Sequence, residues 1–296
     1  MKQENLDLLK KVLGRDAIVE SELVGGMMNE AYIVKTGEGR FVYYISTAQA
    51  NEMVDRKLEQ ETQNLAYNLG ITSENVYFDL EKGIKINRYI EGSSLNKIKE
   101  FDYKKVAELL AKYHNSPVKA SAYYDPLGRL ENYKKEALTH TEKFEPEFYE
   151  LYEIVQKNRE FLLSQPIGLA HNDAQRSNII KGEDNKYYLI DFEFAANNDP
   201  IYDIGTFGNG DALEGKRLLE EYEKLVPVRD GLKRYVLWRI DISLQWYLVA
   251  TIKHYRGEGA IHGYDFLAVG KFFLGIAKDA LKLLKQWKDH LGGLFF

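Results

Sequence analysis

The sequence predicts an α+β protein of two lobes: a small β-rich N-terminal lobe (1–91) and a larger helical C-terminal lobe (92–296). Three observations carry this. Five strand-like runs and one principal helix precede residue 91. After Gly92-Ser93-Ser94 the pattern turns helical. Between residues 169 and 194, polar residues at fixed spacings sit between apolar flanks.

In chain order, Leu6 to Leu13 reads as a short amphipathic helix stopped by Gly14. Ile18 to Leu23, Ala31 to Thr36 and Arg40 to Ile45 read as strands, joined by Gly25-Gly26-Met27-Met28-Asn29 and by Gly37-Glu38-Gly39. A polar-rich helix is expected over Asn51 to Leu69, ending at Gly70, followed by a hairpin of Asn75 to Leu80 and Ile84 to Tyr89. A hinge near Asn87 to Gly92, with a cleft beside it, then leads to helices over Tyr103 to His114, Glu145 to Leu163, Gly215 to Leu225, Arg229 to Tyr255 and Phe266 to Leu291. No internal repeat or low-complexity tract interrupts the order.

The chain's 296 residues are enough for a substantial core, and 45% hydrophobic with 29% charged residues is ordinary for a globular protein. A net charge of −5 argues against a nucleic-acid surface and suits a cationic substrate. With no cysteine there is no disulfide and no Cys-type zinc site, and the scattered histidines lack metal-ligand spacing. Met1-Lys-Gln-Glu-Asn-Leu-Asp has no apolar stretch of a signal peptide, and no run reaches the roughly 20 apolar residues that span a bilayer. The expectation is a cytoplasmic protein without membrane insertion, monomer or homodimer.

Chemistry concentrates in Leu169-Ala-His-Asn-Asp-Ala-Gln-Arg-Ser-Asn178 and Tyr188-Leu-Ile-Asp-Phe-Glu-Phe194. Taken singly, Asp173, Asn178 and Asp191 each suit a turn or a strand end. Together they have the layout H-x-D-x-x-x-x-N, a turn at Gly182-Glu-Asp-Asn185, and an apolar strand ending in I-D-F-E. Phosphoryl transfer needs one carboxylate at the acceptor hydroxyl, with an amide oxygen and a second carboxylate holding Mg²⁺ on ATP. Asp173, Asn178 and Asp191 supply that set.

With these motifs the chain resembles the choline kinase and aminoglycoside phosphotransferase family, whose fold is protein-kinase-like, and within it the bacterial choline kinases. The resemblance rests on His171 to Asn178, Ile190 to Glu193 and Asn198 to Ile204 (N-D-P-x-x-D-I). Weaker matches are Leu23 to Asn29, Arg56 to Glu59 and Arg88 to Gly92. It implies ATP and Mg²⁺ as cofactors and a small cationic amino alcohol as substrate, with choline first and ethanolamine or thiamine next. Asp173 would act on the acceptor hydroxyl, and Asn178 with Asp191 would bind the metal. Gly25, Gly26, Asn29, Glu59, Tyr89, Ile90 and Glu91 would serve the nucleotide. Gln175, Glu193 and Trp246 would join Asp173 at the substrate, and Asp203 would brace the catalytic loop.

Three departures stand out. Kinases of this fold pair a strand lysine or arginine with the helix glutamate; here Glu59 survives, but the matching position in Phe41-Val-Tyr-Tyr-Ile45 is the neutral Tyr44. Met28 stands where the glycine loop carries a hydroxyl, and Ser243 stands where choline kinases place the first of two tryptophans. These departures imply either a kinase in which another cation, such as Lys35 or Arg56, reaches the phosphates, or a pseudokinase that binds a small cation without turning it over.

Overall fold

The computed structural model describes residues 1–23, 29–47, 51, 54–259 and 263–290, apart from the side chains of Asn29 and residues 287–290. The chain forms two compact units that are not contiguous in sequence. The first comprises Met1–Phe101, Ala120–Ala122 and Ser177–Ala196; the second comprises Asp102–Lys119, Tyr123–Arg176 and Asn197–Phe296.

In the first unit, α1 (Gln3–Leu13) precedes β1 (Ile18–Leu23), β2 (Asn29–Thr36) and β3 (Gly39–Ser46). Next come α2 (Arg56–Asn68), β4 (Asn75–Asp79) and β5 (Ile84–Arg88). The five strands form one antiparallel sheet in the order β1-β2-β3-β5-β4. Successive strand side chains point to opposite faces, so the two faces differ in chemistry. Tyr32 and Val34 of β2, Phe41 and Tyr43 of β3, and Ile84 and Ile86 of β5 pack with Leu9 of α1 in one apolar cluster. The buried Tyr43 hydroxyl donates to Asn5 Oδ1 at 3.0 Å. The alternate residues of β5 meet α2 instead: Lys85 reaches Glu59, and Asn87 Oδ1 accepts from Gln63 Nε2 at 3.0 Å.

Helix α2 begins five residues later than the polar periodicity suggests. Asp55 is its N-cap, with Oδ1 accepting from the backbone N–H groups of Lys57 (3.0 Å) and Leu58 (3.1 Å). A second small sheet, β6 (Gly92–Ser94), β8 (Ile179–Gly182) and β9 (Tyr187–Leu189), belongs to the same unit. It is tied to the rest by Glu183 N–H donating to the Glu91 carbonyl (2.8 Å) and Leu189 N–H to the Ile71 carbonyl (2.8 Å).

The second unit is helical: α3 (Tyr103–His114), α4 (Pro126–Ala137), α5 (Pro146–Lys157), α6 (Arg159–Leu163), α7 (Ile201–Phe207), α8 (Ala212–Glu223), α9 (Gly231–Tyr255) and α10 (Phe266–His290). A two-stranded sheet of β7 (Gly168–Ala170) and β10 (Ala196–Asn198) accompanies them. The sequence reading has no counterpart of α4, and it runs α5 and α6 together where Asn158 separates them. Helix α9 is buried around most of its circumference and packs against α4, α5, α7, α8 and α10, which makes it the axis of this unit. Among the described residues no helix is long and apolar enough to cross a membrane.

Candidate functional site

In the first unit the polar face of the sheet converges on Glu59, which is 1% exposed. Lys85 Nζ donates to Glu59 Oε1, and Arg56 Nη1 donates to Glu59 Oε2 at 2.6 Å. The remaining nitrogens of Arg56 are committed as well, Nε to Asn51 Oδ1 at 3.1 Å and Nη2 to Ser46 Oγ. Gly83, with φ +62°, permits this packing, because a Cβ there would collide with Asn51 and Ser46. Burial alone would raise the Glu59 pKa, but the charges and hydrogen bonds of Lys85 and Arg56 outweigh it and hold the carboxylate below its ordinary value. Burial likewise opposes the charge on Lys85; Glu59 and Asp191 reverse that and keep its ammonium well above the ordinary lysine value.

Tyr44 lies directly opposite Lys85 in the β3–β5 register, and the ammonium sits 4.8 Å from its ring centroid. Burial pushes the Tyr44 phenol up to about 12, so it stays neutral at ordinary pH. Lys35, weighed from sequence as a replacement cation, is exposed on β2. Arg56, the other candidate, does bind Glu59. Lys85 escaped the sequence reading, and its only signal there was the alternation that puts it on the face of Tyr44.

Lys85 also links Glu59 to the loop after β9, where its Nζ stands 3.5 Å from Asp191 Oδ1. Asn178 and Asp191 emerge at the same end of the β8–β9 hairpin. Ile179 pairs with Leu189, and Ile190 N–H donates to the Asn178 carbonyl at 3.0 Å. Asp191 has φ +68°, a left-handed conformation costly to a non-glycine residue and typical of loops that aim a functional side chain. Its side chain is 30% exposed. An amide oxygen and a carboxylate are both hard oxygen donors of the kind Mg²⁺ prefers, so the chemistry of these two residues suits that metal. Glu193, two residues on, is half-buried in the following turn.

The segment Tyr89 to Glu91, expected from the sequence to serve the nucleotide, belongs to this unit too. Tyr89 N–H donates to the Arg40 carbonyl at 3.0 Å, and Arg40 Nε donates to Glu91 Oε1 at 2.9 Å. Among the described residues, no hydrogen bond takes up the N–H or carbonyl of Ile90. A depression of about 540 Å³ touches the same segment, but it is lined from Glu74, Arg88, Glu183 and Tyr188 and includes none of Glu59, Lys85, Asn178 or Asp191. We place no ligand there. Gly25, Gly26 and Met28 lie outside the described residues; Asn29 opens β2, paired with Ser46.

In the second unit the organising group is the fully buried Asp203. Its Oδ2 accepts from His171 N–H at 2.8 Å and its Oδ1 from Asn172 N–H at 2.7 Å. The same carboxylate stands 2.9 Å from His114 Nε2, whose Nδ1 meets the Tyr222 hydroxyl at 2.9 Å. Asn172 holds φ +63°, and its Oδ1 accepts from Asn198 Nδ2 at 2.8 Å. The backbone leading into Asp173 is therefore fixed on three sides. Asp173 itself is half-buried, and its Oδ2 accepts from Gln175 Nε2 at 3.2 Å.

Both tryptophans of α9 have partners. Trp246 stacks on Phe273 of α10, centroids 5.7 Å apart and planes 16° from parallel. Trp238 is in the core, its indole N–H donating to Asp199 Oδ2 at 2.7 Å. Ser243 Oγ accepts from Arg239 Nε (3.3 Å) and Nη2 (3.1 Å), so a tryptophan at 243 would displace a buried guanidinium. Sequence reasoning also missed Arg129 of α4. Its guanidinium lies over Tyr124 (5.2 Å) and Tyr133 (5.5 Å), and burial, which would weaken its charge, is outweighed by surrounding groups that include Asp173.

Comparison with known proteins agrees with this layout. The model of the choline/ethanolamine kinase family matches residues 21–217. Protein LicA of Haemophilus influenzae is 24% identical over 285 residues, covering 89% of this chain and 79% of that protein. The crystal structure of the choline kinase LicA from Streptococcus pneumoniae superposes with a TM-score of 0.76 at 22% identity, over 95% of this chain and all of that one. A spectinomycin phosphotransferase solved with ADP and spectinomycin gives a TM-score of 0.64 at 16% identity, over 95% of this chain and 99% of that one. At such identities the superpositions establish a shared protein-kinase-like fold, and the family match over most of the chain establishes more: this chain belongs to the choline/ethanolamine kinase family.

Proposed function

We propose that the protein transfers the terminal phosphoryl group of ATP to the hydroxyl of a small amino alcohol, choline first and ethanolamine or thiamine next. The observation that supports this reading is the Asp203 clamp, which holds the backbone of the loop before the half-buried Asp173, a carboxylate suited to act as acceptor-side base. Asp173 would orient the acceptor hydroxyl and take its proton, with Gln175 holding the carboxylate's rotamer. Asn178 and Asp191 would hold Mg²⁺, which when bound supplies charge neutralisation at the nucleotide phosphates. The Ile90 peptide groups offer a donor and an acceptor to an adenine edge. Glu193 and Trp246 are the further candidates for acceptor contact, Trp246 through the face not covered by Phe273. The family and the ADP-bound spectinomycin phosphotransferase of the same fold support the nucleotide side of this reading.

The test is ADP release from Mg-ATP with choline, ethanolamine and thiamine offered separately. One of them is expected to stimulate turnover, and Asp173→Ala to reduce it by about two to four orders of magnitude. No stimulation by any acceptor defeats the proposal. Choline binding without Mg-ATP binding, both measured by calorimetry, would establish the pseudokinase instead.

A further inference from the structure

We propose that Lys85, on β5, is the cation that holds the nucleotide phosphates in this protein, doing from the neighbouring strand what a β3 residue does in other kinases of the fold. The inference rests on the kinase reading above and assigns the residue that the sequence leaves missing at Tyr44.

The geometry narrows the choice to one side chain. A phosphate-side cation must be held by the α2 glutamate while remaining next to the metal-binding carboxylate. Lys85 meets both conditions, bonded to Glu59 and 3.5 Å from Asp191. Arg56 meets only the first: its guanidinium is held among Glu59, Asn51 and Ser46, and among the described residues only Lys85 pairs with Asp191. An ammonium has three N–H donors, and these contacts use two, which leaves one for a phosphate oxygen. The ion chain runs outward, from Glu59 with a fully buried carboxylate to Asp191 with 30% of its side chain exposed.

Strand pairing explains how the move keeps the chemistry. Directly opposed residues of an antiparallel pair share a face with Cβ atoms about 4.5–5.5 Å apart. Tyr44 and Lys85 are such a pair. A long flexible lysine stem spans that offset, so the ammonium reaches Glu59 from either strand. Tyr44 then fills the vacated space and lays its ring beside the ammonium. Its neutral phenol adds no competing charge.

The experiment uses the full chain and measures Mg-ATP affinity by calorimetry and kcat/KM for ATP with the acceptor it turns over. Lys85→Met is expected to lower both by about ten- to a hundredfold, the worth of one charge-assisted contact. Acceptor affinity stays unchanged, and thermal unfolding reports whether the fold persists. The double variant Tyr44→Lys/Lys85→Met returns the cation to β3 and is expected to recover most of the loss. If Lys85→Met does not fold, Lys85→Gln, which can still donate to Glu59, takes its place with the same expected loss. Unchanged ATP affinity and kcat/KM in the folded variant overturn the assignment to Lys85 and leave the kinase reading standing. A wild-type protein that binds no Mg-ATP overturns both.

Discussion

Glu59 and Asp203 are both buried carboxylates at the centre of a unit, yet they are satisfied in opposite ways. Glu59 is held by side chains alone, Arg56 one helical turn before it and Lys85 from a strand. Asp203 is held mainly by backbone, through the N–H groups of His171 and Asn172, with His114 as a third partner. A side-chain cation can be supplied from any strand whose residue shares the right face. Two successive backbone amides can be reached only by a carboxylate at one place in the fold. The first arrangement tolerates relocation of its partner; the second does not.

Asp203→Ala is the strongest challenge to this contrast. It strands two buried N–H groups and the His114 ring, at about 1–3 kcal/mol for each lost partner. It also frees the Asp173 loop, where a displacement of about 1 Å costs roughly a hundredfold in rate. Denaturant unfolding and steady-state turnover should fall together; intact turnover would mean that the loop does not depend on its clamp.

Glu59→Gln comes next. The amide still accepts a hydrogen bond from Lys85 or Arg56, but it leaves the buried Arg56 without its counter-charge and Lys85 with Asp191 alone. The stability loss should stay below the roughly 3–5 kcal/mol of a fully broken buried pair, and Mg-ATP affinity should fall more than acceptor affinity. A loss as large as that of Asp203→Ala would erase the distinction between the two hubs.

A third buried carboxylate shows what happens with neither kind of support. Asp241 on α9 accepts from Gln245 Nε2 at 2.7 Å, while its Oδ1 has no hydrogen-bond partner among the described residues. Burial raises its pKa to about 8, against the weaker opposing effects of Gln245, Arg239 and Arg129 and with Asp125 adding to the rise. The native state then keeps a proton, between about pH 4 and 8, that the unfolded chain has released, so this group's contribution to stability falls as pH rises through that window. Asp241→Asn cannot ionise. It should match the wild type near pH 4 and unfold a few degrees higher at pH 8, as a paired thermal scan would show. An equal difference at both pH values would place the effect in packing rather than ionisation.

The same contrast explains what the sequence revealed. H-N-D and N-D-P-x-x-D-I were legible through the family resemblance, and the bonds of Asp203 to the His171 and Asn172 amides show what joins them. The hairpin from Asn178 to Asp191 was legible because its turn and register are local. Lys85 was invisible because no spacing rule links a β5 lysine to an α2 glutamate; only the register of β3 against β5 does. Helix α4 did carry a start signal in Asp125-Pro126, with Asp125 Oδ1 capping Gly128 N–H at 2.8 Å, but glycine in the first turn masked it. With α4 went Arg129, the cation that feels Asp173. Helix α2 starts at Arg56 because Asp55 caps its first turn.

The pairing of β6 with β8 has a consequence for synthesis. Gly92 meets Gly182, ninety residues further along. At typical translation rates of about 5–20 residues per second, the ribosome needs roughly 5–18 s to deliver that partner. During this interval α3 to α6 emerge while β6 presents an unpaired edge, and Lys85 has Glu59 but not yet Asp191. The first unit to begin folding is thus unable to finish until part of the second has been made, and a chain cut after Arg176 would carry the Glu59 cluster without Asn178 or Asp191.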